Sequence, residues 1–296
     1  MKRRSLLLLL LTFACDANVV DAVREPMPPD AHAGAGPSGS AGSSGAPQAS
    51  GGQGGEGEVP PSPLATFLFH RYSFDGDGER ALDTRGSAHG QVVGTVLTGD
   101  GTLSLAGGTA AQYLNLPDYF VSGLTDATFE SWLTWRGGGP WQRVFDFGSN
   151  DDDADVPRGV GISYLFLTAF AAADSTRQLP AGLRLVYSQN GVADEVVCLV
   201  TSRLPVDTLT HVAAVIDSRA QTMSIYQDGA LLVECPLTRP LSAINDVNNW
   251  LGRSNYAADE NLAATYDEFR AYNAALTAEQ IAESFALGPN ADLTRR

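Results

Sequence analysis

The side chains able to do chemistry in this sequence are mostly carboxylates, so their spacing is the first thing to weigh. Asp151-Asp152-Asp153 and Asp155 follow Gly148-Ser149-Asn150, and Asp75-Gly76-Asp77-Gly78 ends an apolar run. Clustered carboxylates offer the hard oxygen ligands that calcium takes, although aspartate beside glycine is equally the mark of an ordinary turn. Glycoside hydrolysis needs two carboxylates facing each other across a cleft, which on a strand means acids at alternate positions. No Glu-x-Asp-x-Glu or Glu-x-Asp-x-x-Glu occurs, and no Gly-x-Ser-x-Gly nucleophile turn. The histidines (His32, His70, His89 and His211) show no metal-ligand spacing, and His211 opens an apolar run as a structural residue would. The chain therefore reads as non-catalytic.

Recognition is the alternative, and sugars stack on aromatic faces beside polar groups that fix their orientation. Trp132 lies on the otherwise polar face of its segment, while Tyr119, Trp141, Trp250 and Tyr256 lie near turns. These five are the candidate platforms. Each would also serve as packing at the rim of a sandwich.

Those residues need elements to position them. Short apolar runs of strand length cover 67–74, 91–97, 112–116, 127–135, 142–147, 160–167, 183–187, 195–200, 211–217, 222–226 and 230–235. Within 127–135, Phe129, Ser131, Leu133 and Trp135 share one face, opposite Thr128, Glu130, Trp132 and Thr134, the pattern of a strand with one buried face. Asn190-Gly191 and Asp228-Gly229 separate pairs of runs and read as hairpin turns. Thr277 and Gln280 form a capping box that opens one short helix with Ile281 and Phe285 on its apolar stripe, ended by Gly288-Pro289. Many strands and one terminal helix predict an all-β antiparallel sandwich.

Composition narrows the partners. With 34 Asp+Glu against 19 Lys+Arg the formal net charge is −15, which repels nucleic acid and anionic lipid. The start, residues 1–15, has basic Lys2-Arg3-Arg4, an apolar run from Leu6 to Leu11, and small residues before Cys15, too short to span a bilayer. It reads as a secretory signal and resembles a bacterial lipoprotein signal with lipid attachment at Cys15, though Thr12-Phe13-Ala14 also suits ordinary signal cleavage. Residues 16–63, rich in Gly, Ser and Pro, lack hydrophobic periodicity and read as a disordered tether whose mean span is on the order of 40 Å. The domain is expected over 64–289 and a tail over 290–296. Cys198 and Cys235 lie in strand-like runs of an exported chain and are read as a disulfide, the alternative being two small buried apolar residues.

One resemblance is specific. Gln142-Arg143-Val144-Phe145-Asp146-Phe147-Gly148 and Tyr164-Leu165-Phe166-Leu167-Thr168 look like laminin G-like members of the concanavalin A-like lectin/glucanase superfamily. Thr210-His211-Val212-Ala213-Ala214-Val215, Tyr226-Gln227-Asp228-Gly229 and the closing stretch from Asn249-Trp250-Leu251-Gly252 to Asp267-Glu268-Phe269-Arg270 agree in order. The resemblance implies a jelly roll of two curved sheets with first and last strands side by side, serving recognition or spacing, with calcium in some members. Adjacent first and last strands would bring Asp75, Asp83 and Asp267 together as a structural calcium site, unless these aspartates simply make turns. The expected function is a non-catalytic extracytoplasmic recognition module for a glycan or a surface protein, reaching the membrane only through a lipid anchor. The alternatives are a structural or adhesion protein without a small ligand, and a glycoside hydrolase.

Overall fold

The structure, a computed structural model, describes residues 62–151 and 159–293. In chain order its first strands are β1 (Leu68–Tyr72), β2 (Asp77–Gly78), β3 (Arg80–Ala81), β4 (Gly90–Val93), β5 (Leu97–Thr98), β6 (Leu103–Gly108), β7 (Tyr113–Leu116) and β8 (Ala127–Trp135). Then come β9 (Arg143–Asn150), β10 (Gly161–Ala171), β11 (Gly182–Ser188), β12 (Val196–Val200) and β13 (Leu209–Asp217). The last are β14 (Thr222–Gln227), β15 (Ala230–Pro236), β16 (Asn248–Leu251) and β17 (Asn261–Tyr272), followed by the helix α1 (Ala278–Leu287).

Two antiparallel sheets stack into a jelly-roll sandwich. The first is ordered β1-β17-β8-β13-β14-β15 with β6 also on β17; the second is β12-β11-β10-β9-β16-β7-β4-β3. Strand β1 pairs with the end of β17 from Phe269 to Tyr272 and β6 with its beginning, so first and last strands do lie side by side. Phe129, Leu133 and Trp135 of β8 meet Phe145, Phe147, Leu165 and Leu167 of the opposite sheet in the main core. Each such side chain contributes roughly 1.5–3 kcal/mol relative to leaving it in water.

The face of β8 predicted to be polar is buried as well. Thr128, Glu130 and Trp132 are at most 2% exposed, because α1 and the 3-10 turn Pro63–Thr66 lie across the outside of the first sheet. Leu64, Leu276, Ile281 and Leu293 pack there on Ala213, Val215 and Tyr272. Polar groups lie beneath them: Glu130 Oε2 accepts the hydroxyls of Ser284 and Tyr272 at 2.7 and 3.0 Å. Glu268 is gripped by Arg270 and, through two bonds of 2.8 and 2.9 Å, by Arg71. The capping box is present, with Thr277 accepting from the Gln280 amide and Gln280 from that of Thr277. Ser62 and residues 290–293, assigned from sequence to the tether and the tail, pack against the sandwich. Leu293 is 3% exposed and its carbonyl accepts from the Ser62 amide.

Two connections differ in a way that matters for the site. Asp228-Gly229, with φ of 50° and 78°, forms the expected two-residue turn between Gln227 and Ala230. Asn190-Gly191 does not: a 3-10 turn, Val192–Asp194, follows it, and β11 and β12 close only at Tyr187 and Val196. The longer loop projects beside the outer face of the second sheet. Opposite edges of the two sheets are tied by a disulfide between Cys198 of β12 and Cys235 of β15. The secretory signal, Cys15 and nearly all of the tether lie outside the described residues.

Candidate functional site

The outer face of the second sheet carries the candidate site, and a bulge in β9 creates its floor. Residues three apart on a regular strand point to opposite faces. In β9 the register passes from Phe145 opposite Leu167 to Arg143 opposite Thr168, leaving Val144 as the extra residue. Arg143 and Asp146 are thereby placed on the same outward face, with Arg143 Nε 3.3 Å from Asp146 Oδ2. Beside them Tyr164 and Phe166 of β10 and Val186 of β11 form an apolar cluster separate from the main core, joined by Val197 and Tyr256. The Arg143 guanidinium lies 3.8 Å above the Phe166 ring.

Loops raise walls around this floor and enclose a cleft of about 230 Å³. That is somewhat below the roughly 300–1,000 Å³ of drug-sized sites, the scale of one ring with its substituents. Trp141 comes from the β8–β9 loop, Asp174 and Arg177 from β10–β11, Val192 and Glu195 from β11–β12, and Tyr256 and Asp259 from β16–β17. Trp141 is held at φ 71°, a region a bulky residue rarely occupies. Its amide donates to the Phe170 carbonyl at 2.7 Å and its carbonyl accepts from Arg143 at 2.8 Å. The Arg143 and Arg184 guanidiniums lie 5.7 and 5.2 Å from its ring, so one indole gathers two cations.

The charges of the cleft are matched in pairs. Arg143 reaches Asp259 at 2.8 Å, and Arg177 bridges Asp174 at 2.7 Å and Glu195. Hydrogen bonds from the Arg177 side chain and amide hold the Asp174 carboxyl below the usual range. Burial does the opposite to Asp146 and Asp259, raising both despite Arg143. Asp146 is 0% exposed, and the Asn255 amide and side chain donate to it at 2.9 and 2.8 Å. Tyr256 shares a 2.8 Å hydrogen bond with Tyr164, and burial pushes its hydroxyl up to about 12.

Of the five candidate aromatics, Trp141 and Tyr256 are brought together here, each half-buried at the cleft. Tyr119 is 69% exposed but does not line this cleft. Trp132 and Trp250 are each 2% exposed, which removes them as platforms. Trp132 lies beneath α1 with Arg270 4.5 Å above its ring, and Trp250 is covered by Arg253 at 4.2 Å and bonded to Asn115. The sequence reading missed Arg143, Asp146, Asp174, Arg177, Glu195 and Asp259. Arg143, Asp146, Glu195 and Asp259 sat in segments it had singled out, but none was read there as a site residue.

The expected calcium ligands do not fit a cation. Among the described residues no three of His, Cys, Asp and Glu gather where one metal ion could reach them. Asp83 is 4% exposed and its oxygens face donors: His70 at 2.6 Å and the amides of Arg71, Arg85, Gly86 and Ala88. Asp75 is exposed and Asp267 half-buried, so adjacency of first and last strands does not by itself converge the three. In the acidic loop, Asp152, Asp153 and Asp155 lie outside the described residues.

Comparison with known proteins agrees with the fold. Residues 107–282 match a laminin G-type family model described as the concanavalin A-like lectin/glucanases superfamily. Domain 4 of AbnA, a GH43 extracellular arabinanase from Geobacillus stearothermophilus in complex with arabinotriose, is similar in fold: TM-score 0.52, 19% identity, 73% of this chain and 97% of that one. Trypanosoma rangeli sialidase in complex with sialic acid gives a TM-score of 0.54 at 16% identity, over 75% of this chain but only 33% of the sialidase. The binding domain of botulinum neurotoxin DC in complex with rat synaptotagmin II gives 0.53 at 14% identity, over 75% of this chain and 52% of that one. No protein of curated function matches the sequence.

Proposed function

The chain belongs to the concanavalin A-like lectin/glucanases superfamily, and from that premise we propose that it is a non-catalytic recognition module working outside the cytoplasm, which binds carbohydrate through the outward cleft of its second sheet. One observation carries the proposal. A single concave site joins the aromatic faces of Trp141 and Tyr256 to the polar side chains of Asp174, Arg177, Glu195 and Asp259, the mixture of stacking and directed hydrogen bonding that orients a sugar ring. Two proteins of the same fold, the arabinanase domain and the sialidase, are described with sugars bound, which supports the reading. The Cys198–Cys235 disulfide belongs to an oxidising compartment. Among the described residues no helix is long and apolar enough to cross a membrane. In this reading Cys15 carries the lipid that holds the domain at the cell envelope, and mass spectrometry of the mature N-terminus tests that.

Carboxylates do gather in this hollow, which gives a hydrolase reading its one specific support. Their bonding weighs against it. Asp146 has no exposed surface, and Asp259 is occupied by Arg143 and by the Ser254 hydroxyl at 2.8 Å. A general acid or base must reach the proton it moves. Hydrolysis of β-glucan or arabinan that disappears in Asp259→Asn would replace the binding reading. A glycan array tests the proposal itself: binding is expected, and Trp141→Ala should weaken it at least tenfold, about 1.4 kcal/mol. An array without a ligand would favour the structural or adhesion alternative.

A further inference from the structure

We propose that the cleft is selective for uncharged, hydroxyl-donating glycans and turns away acidic ones; this rests on the carbohydrate reading above and names the class of ligand that it takes.

The direction of one hydrogen-bond chain leads there. The Tyr164 hydroxyl donates to Glu195 Oε1 at 2.9 Å. A carboxylate ion-paired with Arg177 has no proton to return, so the single proton of Tyr164 is committed to it. The Tyr164 and Tyr256 oxygens are 2.8 Å apart, and in that contact Tyr256 has to be the donor. Its oxygen is then left with lone pairs alone, and Tyr256 lines the cleft. Glu195, Asp174 and Asp259 line it too, and they are also acceptors. A ligand meeting these oxygens has to bring protons, which the hydroxyls of a neutral sugar do. A carboxylate or sulfate brings only further lone pairs.

The arginines do not reverse this polarity. Arg143 spends Nε on Asp146, Nη1 on the Trp141 carbonyl and Nη2 on Asp259. Arg177 spends Nε on Asp174 and Nη1 on Glu195. Recruiting Arg143 to an acidic ligand means breaking an ion pair shielded from water, where a carboxylate left unpaired is costly, and Arg177 stays neutralised by the two carboxylates it bridges. The lining itself carries three acids against Arg143 and Arg177, with Arg184 behind the Trp141 ring, and a chain of net charge −15 adds a long-range field against anions.

Calorimetric titration of the full chain with three panels of matched size tests the proposal. The first holds neutral arabino-, xylo-, gluco- and galacto-oligosaccharides, the second oligogalacturonides and sialyllactose, the third chitosan oligomers. At least one neutral glycan should bind, with a Kd that changes less than twofold between 50 and 500 mM NaCl, and the acidic glycans should bind at least tenfold more weakly. Tyr256→Phe, which removes the accepting oxygen but keeps the ring, should weaken the neutral ligand several-fold. Glu195→Gln supplies an amide that can donate to Tyr164, frees the tyrosine chain to reverse, and should narrow the discrimination against acids. Tighter, salt-sensitive binding of an acidic glycan would overturn the selectivity and leave the carbohydrate reading standing, and so would preference for chitosan. Binding to none of the panels would overturn both.

Discussion

Trp141 stands at φ 71° among the residues of its loop, and a bulky side chain held there costs on the order of 1–3 kcal/mol of backbone strain. Nothing in the core needs it, since the indole lies at the cleft rather than between the sheets. Replacing it with glycine should therefore leave the melting temperature unchanged or slightly higher while removing glycan binding. A fall of several degrees would show that the residue serves packing. Asp83 behaves in the opposite way. Its burial alone would raise the carboxyl, but hydrogen bonds from His70 and the amides of Gly86, Arg71 and Arg85 outweigh it and hold the group well below the usual range. A folded-state value below the unfolded one, about 3.9, stabilises the fold at pH above that value, and the gain is lost as pH falls through the folded one. Melting temperature should thus drop between about pH 5 and pH 2, and Asp83→Asn should be less stable at neutral pH with a shallower drop. An unchanged slope in the variant would refute the assignment.

At the scale of elements, α1 acts as the cover of the first sheet. Ile281 is fully buried beneath it, so Ile281→Ala should cost about 2–5 kcal/mol in denaturant unfolding, whereas Thr277→Ala, which removes only a cap, should cost about 1 kcal/mol. If both cost the same small amount, the helix is not packed as described. The disulfide closes a separation of 37 residues, and its reduction should destabilise by roughly 3–4 kcal/mol. The strands were legible because period-two alternation is local, as in Phe129, Leu133 and Trp135, and the capping box of Thr277 and Gln280 is local too. Burial of Trp132 was not, since it depends on a helix that begins 146 residues later crossing the same face. The bulge at Val144 left no mark either. Nor did the walls of the cleft: Asp174, Glu195 and Asp259 come from different loops and share no spacing, and they meet only because β9, β10, β11 and β16 lie in the same sheet.

For the whole molecule, the two outer faces have different work. The outside of the first sheet is closed by α1, the turn at Pro63–Thr66 and Leu293, while the outside of the second sheet keeps an open cleft. Ligand binding is therefore assigned to one face, and three of the four tryptophans serve as reporters that should stay silent: Trp132, Trp135 and Trp250 are at most 2% exposed. Indole N–H resonances of the isotope-labelled protein, followed during titration with neutral pentose and hexose oligosaccharides, put the assignment to the most direct test. The Trp141 signal should move saturably while the other three hold still. Saturable binding with Trp141 unmoved, or with the signals of Trp132 and Trp250 shifting in its place, would contradict it.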